Sequence, residues 1–260
     1  MILHAYFTDG FLPWARLFLE SFGYHNGQTL PIKLDAINLN EAAIAELYKL
    51  YDNLEIFNRE MDLKKLATTH NITYKKFLKQ KKTIETLHIT PDSKDWKLLV
   101  AGDLRVKAIY DMLNFFPEED ILHFDIDTYF RGDISPVMDI VNSNDICVRF
   151  RLNHSKINRK TLIAVQGYKN NKNSRHFLEE WINIIESKPL KRRPIGWGQT
   201  SHYKAYLKCK DLYRWSDVPI QYYSVRRWPD DKVWGANTPE GKTINLKKYR
   251  EDFNRMKREK

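Results

Sequence analysis

Apolar and polar positions alternate through Met1-Ile2-Leu3-His4-Ala5-Tyr6-Phe7, which reads as a strand, and a helical stretch near Trp14 to Phe22 follows it. Next come the strand Ile32-Lys33-Leu34-Asp35-Ala36-Ile37, a helix from about Glu41 to Leu50 with Asn40 as its N-cap, and the strand Leu54-Glu55-Ile56-Phe57. Strand, helix, strand, helix, strand is the order of crossover units on a mainly parallel sheet, so the pattern predicts an α/β domain. Between Met61 and Trp96 the chain is polar and Lys-rich, with Tyr74, Phe77 and Leu78 at helical spacing, which suits short helices of an insertion, either a lid or a solvated face. A helix from roughly Leu98 to Phe115 is closed by Pro117, and Ile121-Leu122-His123-Phe124 forms a short buried strand running into Asp125-Ile126-Asp127.

Beyond that point the pattern predicts apolar stretches at Ile146-Cys147-Val148 and Leu162-Ile163-Ala164-Val165. A helix from His176 to Ile185 follows, whose Phe177, Trp181, Ile184 and Ile185 share one face. From Lys247 to Lys260 there are seven basic and three acidic residues, with Tyr249, Phe253 and Met256 on one helical stripe. Such a segment suits an anionic membrane surface or docking on the protein's own body.

Composition narrows the class. With 260 residues, 42% hydrophobic and 13% aromatic, the chain can bury a core as one domain or two joined lobes, which excludes low-complexity disorder and collagen-like repeats. Two cysteines, Cys147 and Cys209, are too few for a disulfide scaffold or a cysteine zinc site. A reducing, cytoplasmic setting is therefore expected, and the N-terminus reads as strand rather than secretory leader. The net charge of +10 suggests an anionic partner such as phosphate, nucleic acid or a membrane surface.

The chemistry-bearing segment is Asp125-Ile126-Asp127. Asp-x-Asp is common by chance, but here it stands at the carboxyl end of an apolar strand preceded by a helix, where ligands bind in open α/β sheets. Side chains at i and i+2 of a strand share a face, so both carboxylates could converge on one hard cation, Mn²⁺ or Mg²⁺. Such an ion bridges phosphate oxygens and acts as a Lewis acid on a departing diphosphate. A solvated strand end with a turn at Gly132-Asp133 is the plain alternative.

These residues, with Gly132-Asp133-Ile134-Ser135-Pro136 after them, resemble the metal motif of GT-A fold nucleotide-sugar glycosyltransferases, particularly those akin to glycosyltransferase family 8. Phe7-Thr8-Asp9-Gly10 looks like that fold's first strand and the loop that holds the nucleotide base. The helix Asp103-Leu104-Arg105-Val106-Lys107 resembles the one that sends a basic side chain to the donor. Ala164-Val165-Gln166-Gly167-Tyr168 and Phe177-Leu178-Glu179-Glu180-Trp181 look like its acceptor-side strand and helix.

The resemblance implies a single compact GT-A domain with a mainly parallel, Rossmann-like sheet. Residues 1–140 would form a nucleotide-sugar-binding half, 141–242 an acceptor-binding half, and 243–260 a basic tail. It implies a nucleotide-sugar donor, a UDP-sugar above all, and a hydroxyl acceptor on a glycan, lipid or protein. Thr8, Asp9, Arg105, Lys107, Asp125 and Lys242 would bind donor, Asp125 and Asp127 the metal, and Gln199 would lie by the reacting sugar. Two departures stand out: the last histidine is His202, so the family's late metal-binding His has no counterpart, and Gly198 replaces an Asp. Asn237 or water then completes the metal shell. The residues themselves leave other roles open: a helix cap for Thr8 and Asp9, and a solvated position for Lys107.

An inverting transfer needs a carboxylate base, with Asp211, Asp217, Asp230 and Asp231 as candidates. A retaining one would leave Gln199 beneath the anomeric carbon, and the residues do not choose between them. Trp197, Trp215, Trp228 and Trp234 crowd the expected acceptor half, beside Tyr222, Tyr223, Arg226 and Arg227, and flat rings suit both sugars and a core. Lys191-Arg192-Arg193 could meet a phosphate, an anionic acceptor or only solvent. Two other classes compete. A haloacid-dehalogenase-like phosphatase also uses Asp-x-Asp, but near its chain start, and a basic nucleic-acid-binding protein would need a reader motif, which is not found. No nucleic-acid partner is expected.

Overall fold

The computed structural model describes residues 1–61, 103–188, 192–194, 196–224, 230–235 and 239–259, without the side chains of 239–244. The lid or helical insertion expected over Met61–Trp96, the start of the helix expected from Leu98, Lys191, Arg226, Arg227, Trp228, Asn237 and the Lys242 side chain lie outside the described residues, Met61 itself excepted.

The predicted alternation forms a parallel half-sheet. Strand β1 (Ile2–Thr8) leads through a 3-10 turn (Asp9–Phe11) into α1 (Leu12–Asn26). Then follow β2 (Ile32–Ile37), α2 (Glu41–Tyr48) and β3 (Leu54–Arg59). Asn40 caps α2 as expected, its side chain accepting from the Ala43 N–H at 2.8 Å. After the segment outside the description come α3 (Arg105–Phe115), β4 (Ile121–Phe124) and the short β5 (Thr128–Phe130). The chain continues with α4 (Ser135–Ser143), β6 (Ile146–Phe150), β7 (Thr161–Tyr168), α5 (Lys172–Glu186), α6 (Trp197–Cys209), β8 (Trp215–Asp217), β9 (Val233–Gly235) and α7 (Pro239–Glu259).

The main sheet has the order β3-β2-β1-β4-β7-β6-β8. Strands β3, β2, β1 and β4 are mutually parallel, β7 runs against β4 and β6, and β8 is parallel to β6. Four of the six neighbouring pairs are therefore parallel, and the sheet is mainly parallel and continuous through both expected halves. Its faces are filled by Leu3, Phe7, Phe18, Leu34 and Phe124 in one cluster and Ile109, Ile121, Phe177 and Trp181 in another. Because β4 and β6 both run against β7, their carboxyl ends, Phe124 and Phe150, lie at the same edge of the sheet.

Two expectations are corrected. Strand β4 ends at Phe124, and Asp125-Ile126-Asp127 make a turn into β5, so the carboxylates are not i and i+2 of one strand face. The segment from Val233 to Lys242, which looks in sequence like the C-terminal loop of the resembled family, instead contains β9, paired with β5, and the start of α7. The 243–260 tail therefore belongs to a helix beginning at Pro239. Its apolar stripe faces inward: Tyr249 and Phe253 are buried against Trp14, Leu17 and Tyr129, and Asp252 accepts from the Tyr129 hydroxyl at 2.9 Å and pairs with Arg131 at 3.0 Å. The stripe offered as a membrane face is spent on the protein's own body. No described helix is long and apolar enough to cross a membrane.

His202 sits in the second cluster's wall, its ring edge-on to Trp181 at 4.7 Å and to Phe177 at 5.1 Å, with both ring nitrogens buried and without hydrogen-bond partners. Burial pulls its pKa down to about 3. A depressed folded-state pKa gives stability that is present above the unfolded value near 6.5 and is lost as pH falls toward 3. That loss is about 1.4 kcal/mol per pH unit, or roughly 2 kcal/mol at pH 5. His202→Phe is expected to remove this share of the acid sensitivity, so melting curves of wild type and variant should converge at pH 7 and separate at pH 5. Parallel melting curves across that range would refute it, since all other titrating groups are common to both.

Candidate active site

The carboxyl edge of β4 collects charge. Arg105, the first residue of α3, reaches Asp125 with Nη2 to Oδ1 at 3.1 Å and donates from Nη1 to the Ile163 carbonyl at 3.4 Å. The Asp125 N–H donates to the Ala164 carbonyl at 2.8 Å, carrying the β4–β7 pairing one residue past the strand and fixing where the turn begins. Asp127 is buried at the end of that turn, and the next residue, Thr128, pairs with Gly235 of β9.

Tyr223 feels the charge of both carboxylates. Its phenol is held far above its ordinary pKa, first by burial and then by Asp127 and Asp125, so it stays neutral and can only donate or accept a proton in a hydrogen bond. Gly235 makes room for it: a Cβ there would stand 2.2 Å from the Tyr223 hydroxyl oxygen. Gly235→Ala is expected to lower stability by about 1–3 kcal/mol through overpacking and to disturb the wall behind Asp127. Chemical denaturation gives the first and metal affinity the second, and wild-type values for both would show that the ring yields freely.

Behind Asp125 two buried imidazoles meet. His4 of β1 and His123 of β4 approach Nδ1 to Nδ1 at 3.0 Å, and His123 Nε2 lies 3.8 Å from Asp125 Oδ1. Burial lowers both pKa values, for His4 with a further push from His123, so at neutral pH one ring donates to the other. Alternation placed both in strands that read simply as core. Only the β1–β4 register, which sets His4 opposite His123, brings the rings together.

The other expected residues divide. Thr8 ends β1, the strand beside β4, and Asp9 opens the following turn, its Oδ1 accepting from the Gly10 N–H at 2.7 Å. Thr8 makes no side-chain cap bond, so that competing role is not realised. Gln199 is in the first turn of α6, and its carbonyl accepts from Thr161 Oγ1 at 3.4 Å, at the start of β7 and hence at the same sheet edge. Gly196, with φ of +79°, supplies the left-handed turn that starts α6 there. Lys107 is engaged elsewhere in this structure. Two residues on from Arg105 it is rotated by about 200° around the helix, and it pairs with Glu186 of α5 at 2.6 Å on the surface.

Arg193, offered as a phosphate contact, is also reassigned: it is buried and grips both oxygens of Asp103, at 2.5 and 2.7 Å, just before α3. Of the base candidates, Asp217 is engaged by Arg149 and by the Phe150 N–H, and Asp211 by Lys210. Trp197 is buried, and Trp215 packs edge-on to Phe177 and Tyr206, so both serve the core.

Among the described residues no group of three His, Cys, Asp or Glu side chains gathers at one point. Two carboxylates, Asp125 and Asp127, stand two residues apart in the turn after β4, and hard oxygen donors in that number fit Mg²⁺ or Mn²⁺, which keeps waters and takes phosphate oxygens in its other positions.

The sheet order, with its antiparallel β7 insert and an acidic turn at the carboxyl edge of β4, is that of the GT-A fold. Among solved structures the chain is similar to the galactosyltransferase LgtC in complex with donor and acceptor sugar analogues: TM-score 0.62 and 10% identity, covering 96% of this chain and 94% of that one. A form of LgtC altered at an active-site glutamine is also similar, with TM-score 0.52 and 12% identity over 92% of this chain and 88% of that one. GlyE of Streptococcus pneumoniae TIGR4, a glycosyltransferase, matches with TM-score 0.59 and 12% identity over 95% of this chain, which spans 59% of GlyE. No protein-family model and no curated protein matches the sequence. At these identities the likeness is one of fold. A sheet of this order does not put the acidic pair near the chain start, as the phosphatase alternative requires.

Proposed function

We propose that this protein is a metal-dependent glycosyltransferase that moves a sugar from a nucleoside diphosphate sugar, with UDP as the carrier, to a hydroxyl on a glycan. The observation that carries the reading is the Arg105–Asp125 contact beside buried Asp127 at the carboxyl edge of β4, within a GT-A sheet. LgtC, a fold relative, holds donor and acceptor sugar analogues.

Asp125 and Asp127 would hold Mn²⁺ or Mg²⁺, which when bound neutralises diphosphate charge as a Lewis acid. Arg105 donates hydrogen bonds to the same diphosphate from a position already fixed by Asp125 and the Ile163 carbonyl, so little reorganisation accompanies charge development on the leaving group. Thr8 and Asp9, at the end of the adjacent β1, stand where the base and ribose of that donor would lie. Gln199, of the residue type altered in the LgtC active-site variant, would flank the sugar on the far side of β4. Held between these groups, the acceptor hydroxyl meets the anomeric carbon as a neighbour rather than by diffusion.

The test is a melting-temperature and slow-hydrolysis panel of nucleotide sugars with and without Mn²⁺. One nucleotide class should stabilise the protein only with metal and release its diphosphate. Phosphate release from simple monoesters, with no response to any nucleotide sugar, would overturn the reading.

A further inference from the structure

From Ile146 to Leu178 the chain has no Asp or Glu, while the β6–β7 loop, residues 151–160, carries Arg151, His154, Lys156, Arg159 and Lys160. Among the described ion pairs none uses Lys156, Arg159 or Lys160, and the first two are exposed. The loop is nonetheless built. The Arg151 N–H donates to the Lys160 carbonyl at 2.7 Å, Lys160 Nζ to the Leu152 carbonyl at 2.5 Å, and the 3-10 turn Ile157–Arg159 packs on α6. Lys160 also lies 5.6 Å over the ring of Tyr203, which stacks on Tyr206. His154 feels the crowding: its pKa is lowered, first by desolvation and then by Arg151, Arg159, Lys156 and Lys160.

The loop's place decides what this charge is for. It joins β6 to β7 at the edge that carries Asp125, and within four residues β7 offers Thr161 to Gln199, Ile163 to Arg105 and Ala164 to Asp125. Three residues of strand separate Thr161 from Ala164, so the cationic loop starts about 10 Å from the acidic turn. It lies on the β7–β6 side, whereas Thr8 and Asp9 lie on the β1 side. A donor diphosphate on Asp125 and Arg105, with its nucleoside toward β1, does not cover this loop. Among the described residues nothing supplies the counter-charge of Lys156, Arg159 or Lys160, which leaves the loop available to the other substrate.

We propose that the 151–160 loop is an acceptor subsite for an anionic glycan, one bearing phosphate or carboxylate groups about 10 Å from the hydroxyl that is glycosylated, with Tyr203 offering a flat face to a sugar ring. The proposal rests on the glycosyltransferase reading for its direction and is tested separately from it. Binding of oligogalacturonate and of phosphorylated mannan oligosaccharide is compared by calorimetry with neutral maltohexaose, for wild type and the exposed-site variant Lys156→Glu/Arg159→Glu.

The anionic oligosaccharides, or one of them, should bind, more weakly as salt rises, with about tenfold loss in the variant, while maltohexaose binds equally poorly to both. Equal affinity for neutral and anionic sugars, no binding of either, or retention only on phosphatidylglycerol vesicles would overturn it, the last in favour of a lipid surface. A Mn²⁺-dependent melting shift of the wild-type protein with nucleotide sugar reports independently on the transferase reading.

Discussion

Asp127→Asn is expected to lower metal-dependent turnover of the nucleotide sugar on the order of a hundredfold or more while leaving a folded protein. Asn keeps the volume of a side chain that is only 5% exposed, so the turn between β4 and β5 and the Tyr223 ring can stay in place. What goes is one full negative charge and one hard oxygen donor from a site that has only two described carboxylates. With Asp125 left alone beside Arg105, affinity for Mn²⁺ should fall with activity, and excess metal should recover part of it. Stopped-time donor hydrolysis across a Mn²⁺ titration checks this, with near-ultraviolet circular dichroism as the folding control. Wild-type turnover at low Mn²⁺ would remove Asp127 from the metal site and leave the fold without its proposed chemistry.

Arg193→Ala should destabilise the protein by about 3–5 kcal/mol, lowering its melting temperature by roughly 10 °C. Both partners of the Arg193–Asp103 pair are nearly inaccessible, with side chains 4% and 5% exposed, so truncating Arg193 takes the bidentate cation away from a buried carboxylate. Replacing both, as Asp103→Leu/Arg193→Met, should recover most of the loss because no buried charge remains. A functional consequence separates this pair from an ordinary core contact. Asp103 stands two residues before Arg105, so freeing the start of α3 loosens Arg105 from Asp125, and KM for the donor should rise in Arg193→Ala even at temperatures where it is folded. A double variant as unstable as the single one, or a single variant with unchanged donor KM, would contradict the account.

Local pattern carried six of the nine described strands, most helices and the Asn40 cap, because alternation and 3.6-residue periodicity are set by which side of each element meets the core. It also located the acidic pair at a strand's carboxyl end. It misjudged the pair's geometry, since a strand and the first residues of a turn look alike over three positions, and it passed over α6, whose Gly196-Trp197-Gly198 start reads as loop. The basic residues were the hardest to sort. Arg105, Lys107 and Arg193 are equivalent as letters. One meets Asp125, one Glu186 and one buried Asp103, according to helix phase and to a chain segment some 90 positions away in the last case.

The amphipathic stripe Tyr249, Phe253 and Met256 was visible too, but periodicity reports that a face is apolar and not what covers it. Trp14, Leu17 and Tyr129 cover it, and they come from remote parts of the chain. Residue order thus settled the α/β class and the acidic turn's position, because both follow from neighbours in sequence. The pairing of His4 with His123, the room Gly235 leaves for Tyr223, and the cationic loop's place beside Gln199 followed only from folding, because each depends on strand register and on packing between segments far apart in the chain.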